Sequence, residues 1–177
     1  MSLHIFNCVM IFIIGLVFGS FYNVVGYRLP NKMSIVFPQS HCPNCNHKLN
    51  FYELIPVLSY IFLGGKCKKC KCKISFFYPF FELLTGVLFL LCYLNFGINI
   101  EFFIAVTFVS VLIIISISDI KYYIIPDEVL IVGTIIILIL FGINTYLNDL
   151  GVVKGLIMPI LNGIGSFAIL YLFKCLG

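Results

Sequence analysis

Residues Ile117–Val129 read ISDIKYYIIPDEV, with an apolar run, VTFVSVLIIISIS, leading into Asp119 and another beginning after Glu128. The polar seam between the two is where the fold becomes readable. Two stretches greasy enough to cross a bilayer are joined by a short link that carries Asp119, Lys121, Asp127 and Glu128. Pro126 ahead of an acidic Asp127–Glu128 pair is a helix start, because carboxylates favour the positive end of the helix dipole. The seam therefore predicts one membrane helix ending and the next beginning on the same side.

Working outward, the whole chain of 177 residues is of this kind: 62% is hydrophobic and only 10% is charged, with a mean hydropathy of +1.13. Soluble domains must clothe one core with polar residues and do not have this composition. Five apolar runs are long enough for membrane helices, at about 6–27, 76–96, 102–118, 128–147 and 153–174. The first lacks the basic n-region and the small-residue cleavage site of a signal peptide, and reads as a retained helix. The fold class expected is thus an all-α integral membrane protein of about five transmembrane helices.

Eight of the eleven Lys and Arg residues fall between the first two runs: Arg28, Lys32, Lys48, Lys66, Lys68, Lys69, Lys71 and Lys73. The positive-inside rule puts that insert, residues 28–75, in the cytoplasm and the N-terminus outside. Alternate threading then places Glu101 and Asp149 outside and Lys121 and Lys174 inside, with Lys154 the one basic residue that disagrees. The net charge of +4 reflects topology, and no nucleic-acid partner is expected.

The insert holds CPNC and CKKC, that is Cys42, Cys45, Cys67 and Cys70. Each C-x-x-C pair can grip a metal with two thiolates, and two pairs complete a tetrahedral zinc site. A pair of disulfides competes with this reading, but disulfides belong to oxidising compartments and the charge pattern places the insert in a reducing one. Zinc is the expected cofactor, and it would supply folding energy that so small a segment lacks. His41, His47 and Cys72 lie near enough to serve as ligands and are read as bystanders. Cys8, Cys92 and Cys175 are read as small packing residues.

Three landmarks now stand in order: GSFYNVVGYRLP (19–30), then LIPVLSYIFLGGKCKKCKCKIS followed by FFYPFFELLTG (54–86), and SDIKYYIIPDEV (118–129). Together they resemble the type IV prepilin peptidases, bifunctional leader peptidases and N-methyltransferases. The resemblance implies an N-terminal prepilin peptidase domain over about 10–95 and the start of an aspartic peptidase membrane domain over 102–177. It implies a bacterial inner-membrane enzyme that cuts the basic leader from prepilins or pseudopilins at the cytoplasmic face. It also implies methylation of the new N-terminus from S-adenosylmethionine. Asp119 matches the first of the family's two catalytic aspartates.

An aspartic dyad needs one ionised carboxylate to take a proton from water and one protonated carboxyl to polarise the scissile carbonyl. The family supplies the second from a G-x-G-D motif about sixty residues beyond the first, which would fall just past Gly177. Within the chain, GIGS at 163–166 has Ser166 where Asp would stand and reads as helix body. Asp127 reads as a helix-start residue, matching the family's non-catalytic Pro-Asp step. Glu82 lies about two turns into the second run, roughly 9–10 Å along its axis, an intramembrane carboxylate with no dyad role in the family. The expectation is a piece of a longer peptidase. A non-catalytic membrane scaffold that binds pilin helices, or a methyltransferase-only relative, are the alternatives.

No nucleotide loop is present, so S-adenosylmethionine rests on the resemblance. The residues expected near it are Gly19, Ser20, Asn23 and Arg28 at the inner end of the first run, with Glu82 opposite. Helix packing is the competing role for Gly19, Ser20 and Asn23, and for Gly19 it is the favoured one. An interfacial anchor competes for Arg28, and pairing with a basic group of another helix competes for Glu82.

Overall fold

The computed structural model describes residues 2–148 together with 157, 160 and 161. Its elements are α1 (Ser2–Arg28), a 3-10 turn (Phe51–Glu53), α2 (Leu58–Phe62), α3 (Phe77–Phe96), α4 (Ile100–Tyr122) and α5 (Asp127–Leu147). Helices α1, α3, α4 and α5 are each long and apolar enough to cross a membrane. Inside a bilayer every backbone N–H and C=O must be satisfied within the protein, and a helix does this for its own segment. The expected run at 153–174 lies outside the described residues except at 157, 160 and 161, and Cys175 and the GIGS segment lie outside them altogether.

The outward faces stay apolar: Ile131, Val132 and Ile139 of α5 are all exposed. The interior is apolar as well, with Phe81, Phe89 and Ile117 buried, and it admits a few polar groups, Thr85 and Ser118 among the fully buried. Lipid as solvent permits apolar groups on both sides, because apolar side chains gain little by turning away from acyl chains.

The tightest contact joins α1 to α3. A Cβ on Gly15 would stand 2.7 Å from the Cα of Gly86, and one on Gly19 would stand 2.8 Å from the Cα of Glu82. The two backbones meet only because those positions carry no side chain. Asn23 Nδ2 adds a polar stitch, donating to the carbonyls of Gly19 in α1 (3.1 Å) and Tyr78 in α3 (3.2 Å). Helix α4 packs on both, tied to α1 by the Tyr22 hydroxyl donating to Ser110 Oγ (2.6 Å), and α5 packs on α4.

Two boundaries differ instructively from the apolar runs. The third run stops at Ser118, yet α4 continues to Tyr122, where Tyr123 takes up the left-handed conformation (φ 55°) and its N–H caps the Asp119 carbonyl at 2.8 Å. Asp119 therefore sits in the last turn of α4. Pro126 precedes α5 as its N-cap, and Asp127 and Glu128 occupy its first turn. The buried Ser118 hydroxyl donates to the Ile124 carbonyl at 2.5 Å and holds this short link closed.

Packing at the α1–α3 contact yields a direct test. Gly15→Ile should destabilise the protein by about 1–3 kcal/mol through overpacking. Gly142→Ala, with nothing within 4 Å of the added Cβ, should be neutral or stabilising, since glycine inside a helix costs about 0.5–1 kcal/mol. Unfolding of the detergent-solubilised protein by SDS would order the two variants on either side of the parent.

Candidate metal centre and membrane-face site

The insert between α1 and α3 is built from two similar knuckles. Cys42 N–H donates to the His47 carbonyl (2.9 Å) and Asn46 N–H to the Cys42 carbonyl (2.9 Å). Twenty-five residues later Cys67 N–H donates to the Cys72 carbonyl (2.9 Å) and Lys71 N–H to the Cys67 carbonyl (3.0 Å). Asn46 and Lys71 both adopt positive φ, 53° and 59°, which turns each chain back after its second cysteine. Isolated antiparallel bridges, His41 with Lys48 and Lys66 with Lys73, close the two loops.

The knuckles face one another so that the sulfurs of Cys42, Cys45, Cys67 and Cys70 all lie within 4.8 Å of one another. Cys42 and Cys70 are 3.8 Å apart and Cys45 and Cys67 3.9 Å. A zinc ion with four bonds to sulfur of about 2.3 Å sets tetrahedral edges of about 3.8 Å. The donor set therefore fits zinc, and all four cysteines are free thiols. Zinc held there would supply the insert's missing core, with no catalytic part.

The neighbours named from sequence fall outside the tetrad. Cys72 stands 3.2 Å from Cys70 and 3.5 Å from Cys42. The Cys72 backbone N–H, then its thiol, pulls the Cys70 thiol down to about 6. The Cys72 thiol is itself pushed up to about 12, first by Cys70 and then by Cys42. His41 Nδ1 is engaged with the Gln39 carbonyl (3.0 Å). His47 Nε2 pairs with Glu53 Oε2 (3.2 Å), the single ion pair found among the described residues. Glu53 was not singled out from sequence, although Asn50-x-x-Glu53 is a capping pattern. The Asn50 N–H donates to its carboxylate at 2.9 Å and, followed by His47, holds that carboxyl below its ordinary range.

The residues expected at S-adenosylmethionine are brought together only in part. Gly19 and Asn23 belong to the α1–α3 contact, although the buried Asn23 Oδ1 has no partner. Ser20, next to Gly19 in the same turn, is half-buried beside Glu82. Arg28 is buried, and its guanidinium donates to three backbone carbonyls, Ser34 (2.9 Å), Ile35 (3.3 Å) and Pro38 (2.6 Å). Glu82 Oε2 accepts the Val57 N–H at 2.7 Å. Arg28 alone borders a cleft of about 420 Å³, shared with Phe21, Gln39 and Phe51. Gly19, Ser20, Asn23 and Glu82 lie outside that lining, together at the α1–α3 contact.

Asp119 lies exposed on the last turn of α4, and its carboxylate has no hydrogen-bond or ionic partner among the described residues. Lys121, two residues on, turns elsewhere. Its ammonium lies 4.3 Å from the Tyr78 ring centroid, 4.6 Å from Phe77 and 5.7 Å from Tyr27, and 3.3 Å from the Tyr78 hydroxyl. These cation–π contacts latch the end of α4 to the adjoining ends of α1 and α3. Asp119 and the roots of the insert consequently share one membrane face.

The metal site makes its own prediction. The purified chain should carry one zinc per molecule by elemental analysis, and Co²⁺ in its place should show thiolate charge-transfer absorption. Cys67→Ser should lose the metal, whereas Cys72→Ser should keep it.

The description "Bacterial Peptidase A24 N-terminal domain" belongs to the family model that matches residues 13–96. The chain is 48% identical over 122 residues to the Prepilin leader peptidase/N-methyltransferase of Bacillus subtilis (strain 168), covering 69% of this chain and 49% of that protein. The protein of the same description from Myxococcus xanthus (strain DK1622) is 43% identical over 125 residues, covering 71% and 37%. That of Legionella pneumophila is 28% identical over 191 residues, covering 95% and 64%. The chain thus spans about half the length, or less, of the first two relatives. No solved structure matches. The chain belongs to the type IV prepilin peptidase family, and matches the N-terminal part of its relatives.

Proposed function

We propose that the chain acts as a prepilin leader peptidase, hydrolysing the leader peptide bond of prepilins or pseudopilins at the cytoplasmic face of the bacterial inner membrane. The observation that carries this reading is Asp119. It is an exposed carboxylate without an ionic partner among the described residues, at the membrane face from which the insert emerges, with the nearby Lys121 drawn away into an aromatic cage. A carboxylate left free of a cation can take a proton from water. The reaction needs a second, protonated carboxyl to polarise the scissile carbonyl, since two such groups close together share one proton. The family motif for that group, G-x-G-D, does not occur in these 177 residues, and the reading requires it from elsewhere in the enzyme.

The substrate class follows from the relatives' names and from location. A pilin's hydrophobic helix would lie in the bilayer beside α4, with its basic leader at the face that carries Asp119. Eight of the eleven basic residues in the insert favour the cytoplasmic side for that face. N-methylation of the new N-terminus belongs to the same proposal and is supported by the relatives' names. Gly19, Ser20, Asn23, Arg28 and Glu82 remain the residues proposed near S-adenosylmethionine, and no methyl-transfer step is assigned to them.

Leader cleavage can be followed in membranes expressing the chain together with whatever coding region follows residue 177. Asp119→Asn should reduce the rate by about 10²–10⁴-fold, the span of a lost acid–base group, with the zinc content unchanged. Cleavage at the parent rate in that variant would remove Asp119 from the chemistry, and absence of cleavage in the parent would favour the scaffold reading.

A further inference from the structure

The segment ahead of α2 is strained and deeply anchored. Val57 has φ 61° and ψ −50°, and the Leu58 N–H donates across it to the Pro56 carbonyl at 2.5 Å. This is the rare form of the γ-turn, at a β-branched residue that ordinarily avoids positive φ. Such a conformation persists only when its surroundings enforce it. The enforcing group is Glu82, whose Oε2 accepts the Val57 N–H at 2.7 Å.

The position of Glu82 fixes how deep that anchor sits. Helix α3 has 20 residues, a length of about 30 Å, which is just the hydrocarbon thickness of a bilayer. Glu82 lies five residues after its start, about 8 Å along the axis, and because a helical side chain leans toward the N-terminus its carboxylate holds Val57 between that level and the end of α3. Helix α2 begins at the next residue, and its Tyr60 ring packs 6.2 Å from that of Phe76, the N-cap of α3. Along α2, Leu58 and Ile61 are exposed, and Phe62 is 83% exposed. An apolar face at this depth meets acyl chains. The chain then leaves through Gly64 and Gly65 into Lys66, Lys68, Lys69, Lys71 and Lys73, ammonium groups suited to the anionic headgroups directly above.

We propose that the insert is not a wholly water-borne module. Ile55–Phe62 re-enters the leaflet from which the insert emerges, seating Leu58, Ile61 and Phe62 among lipid chains, while the lysines of the second knuckle contact phospholipid headgroups. Glu82 is the positioning residue for this immersion. The inference stands apart from the catalytic reading, since no part of it involves Asp119.

The chain contains no tryptophan, so one introduced indole reports its own surroundings. Phe62→Trp would be made in the full 177-residue chain and reconstituted in vesicles of phosphatidylethanolamine and phosphatidylglycerol, with Lys69→Trp at the knuckle as the reference. The α2 indole should emit at shorter wavelength than the reference and lose most of its emission when the lipids carry bromine on their acyl chains. The reference should keep most of its emission. An α2 indole that brominated lipid does not quench overturns the proposal. Emission at long wavelength would then place α2 in water, and emission at short wavelength would place it against protein.

Discussion

The near-contact of α1 with α3 is the constraint on which the rest of the molecule depends. Gly15, Gly19 and Gly86 let the two backbones approach until any added Cβ would collide. That proximity brings the last turns of α1 against the start of α3, where Asn23 bonds the Tyr78 carbonyl, so the two roots of the insert are held together. The insert need not fold as an independent body. It is a closed loop whose ends are already fixed, so the entropy of bringing its knuckles together is lowered before a metal binds. Lys121 extends the same arrangement to α4, because its cage is made by Tyr27 of α1 with Phe77 and Tyr78 of α3.

Polar groups within the bundle do positional work. Arg28 would be costly so near the membrane without partners, and it finds three carbonyls that order the chain from Ser34 to Pro38. Glu82 meets the same requirement by accepting a backbone N–H. Asn23 spends its two donors on neighbouring carbonyls and keeps an unpaired oxygen. Each side chain offered chemistry in the sequence and turns out to be held, wholly or largely, by the backbone.

Much of the architecture was legible because a bilayer leaves a chain few choices. Runs of twenty apolar residues can only be helices there, and the C-x-x-C pairs can close around one metal whatever the loop between them does. What escaped the sequence were contacts set by distant partners. Val57 lies 25 residues from Glu82, and neither Pro56 nor Val57 announces a strained turn. The end of α4 was misjudged because the apolar run stops at Ser118, whereas the helix stops where Tyr123 can take a left-handed cap. The cage around Lys121 draws its three rings from two other helices, so no local pattern could have disclosed it.

The paired knuckles also impose an order on biosynthesis. Each contributes two of the four thiolates, so the first, complete at Cys45, has no finished site while the chain is still being made. The site can close only once Cys70 has left the ribosome, and Phe77, the first residue of α3, follows seven residues later. If the four thiolates take a metal, its capture and the emergence of the second membrane helix fall close together in translation, and a shortage of metal at that moment would leave α3 emerging with its leading loop still open.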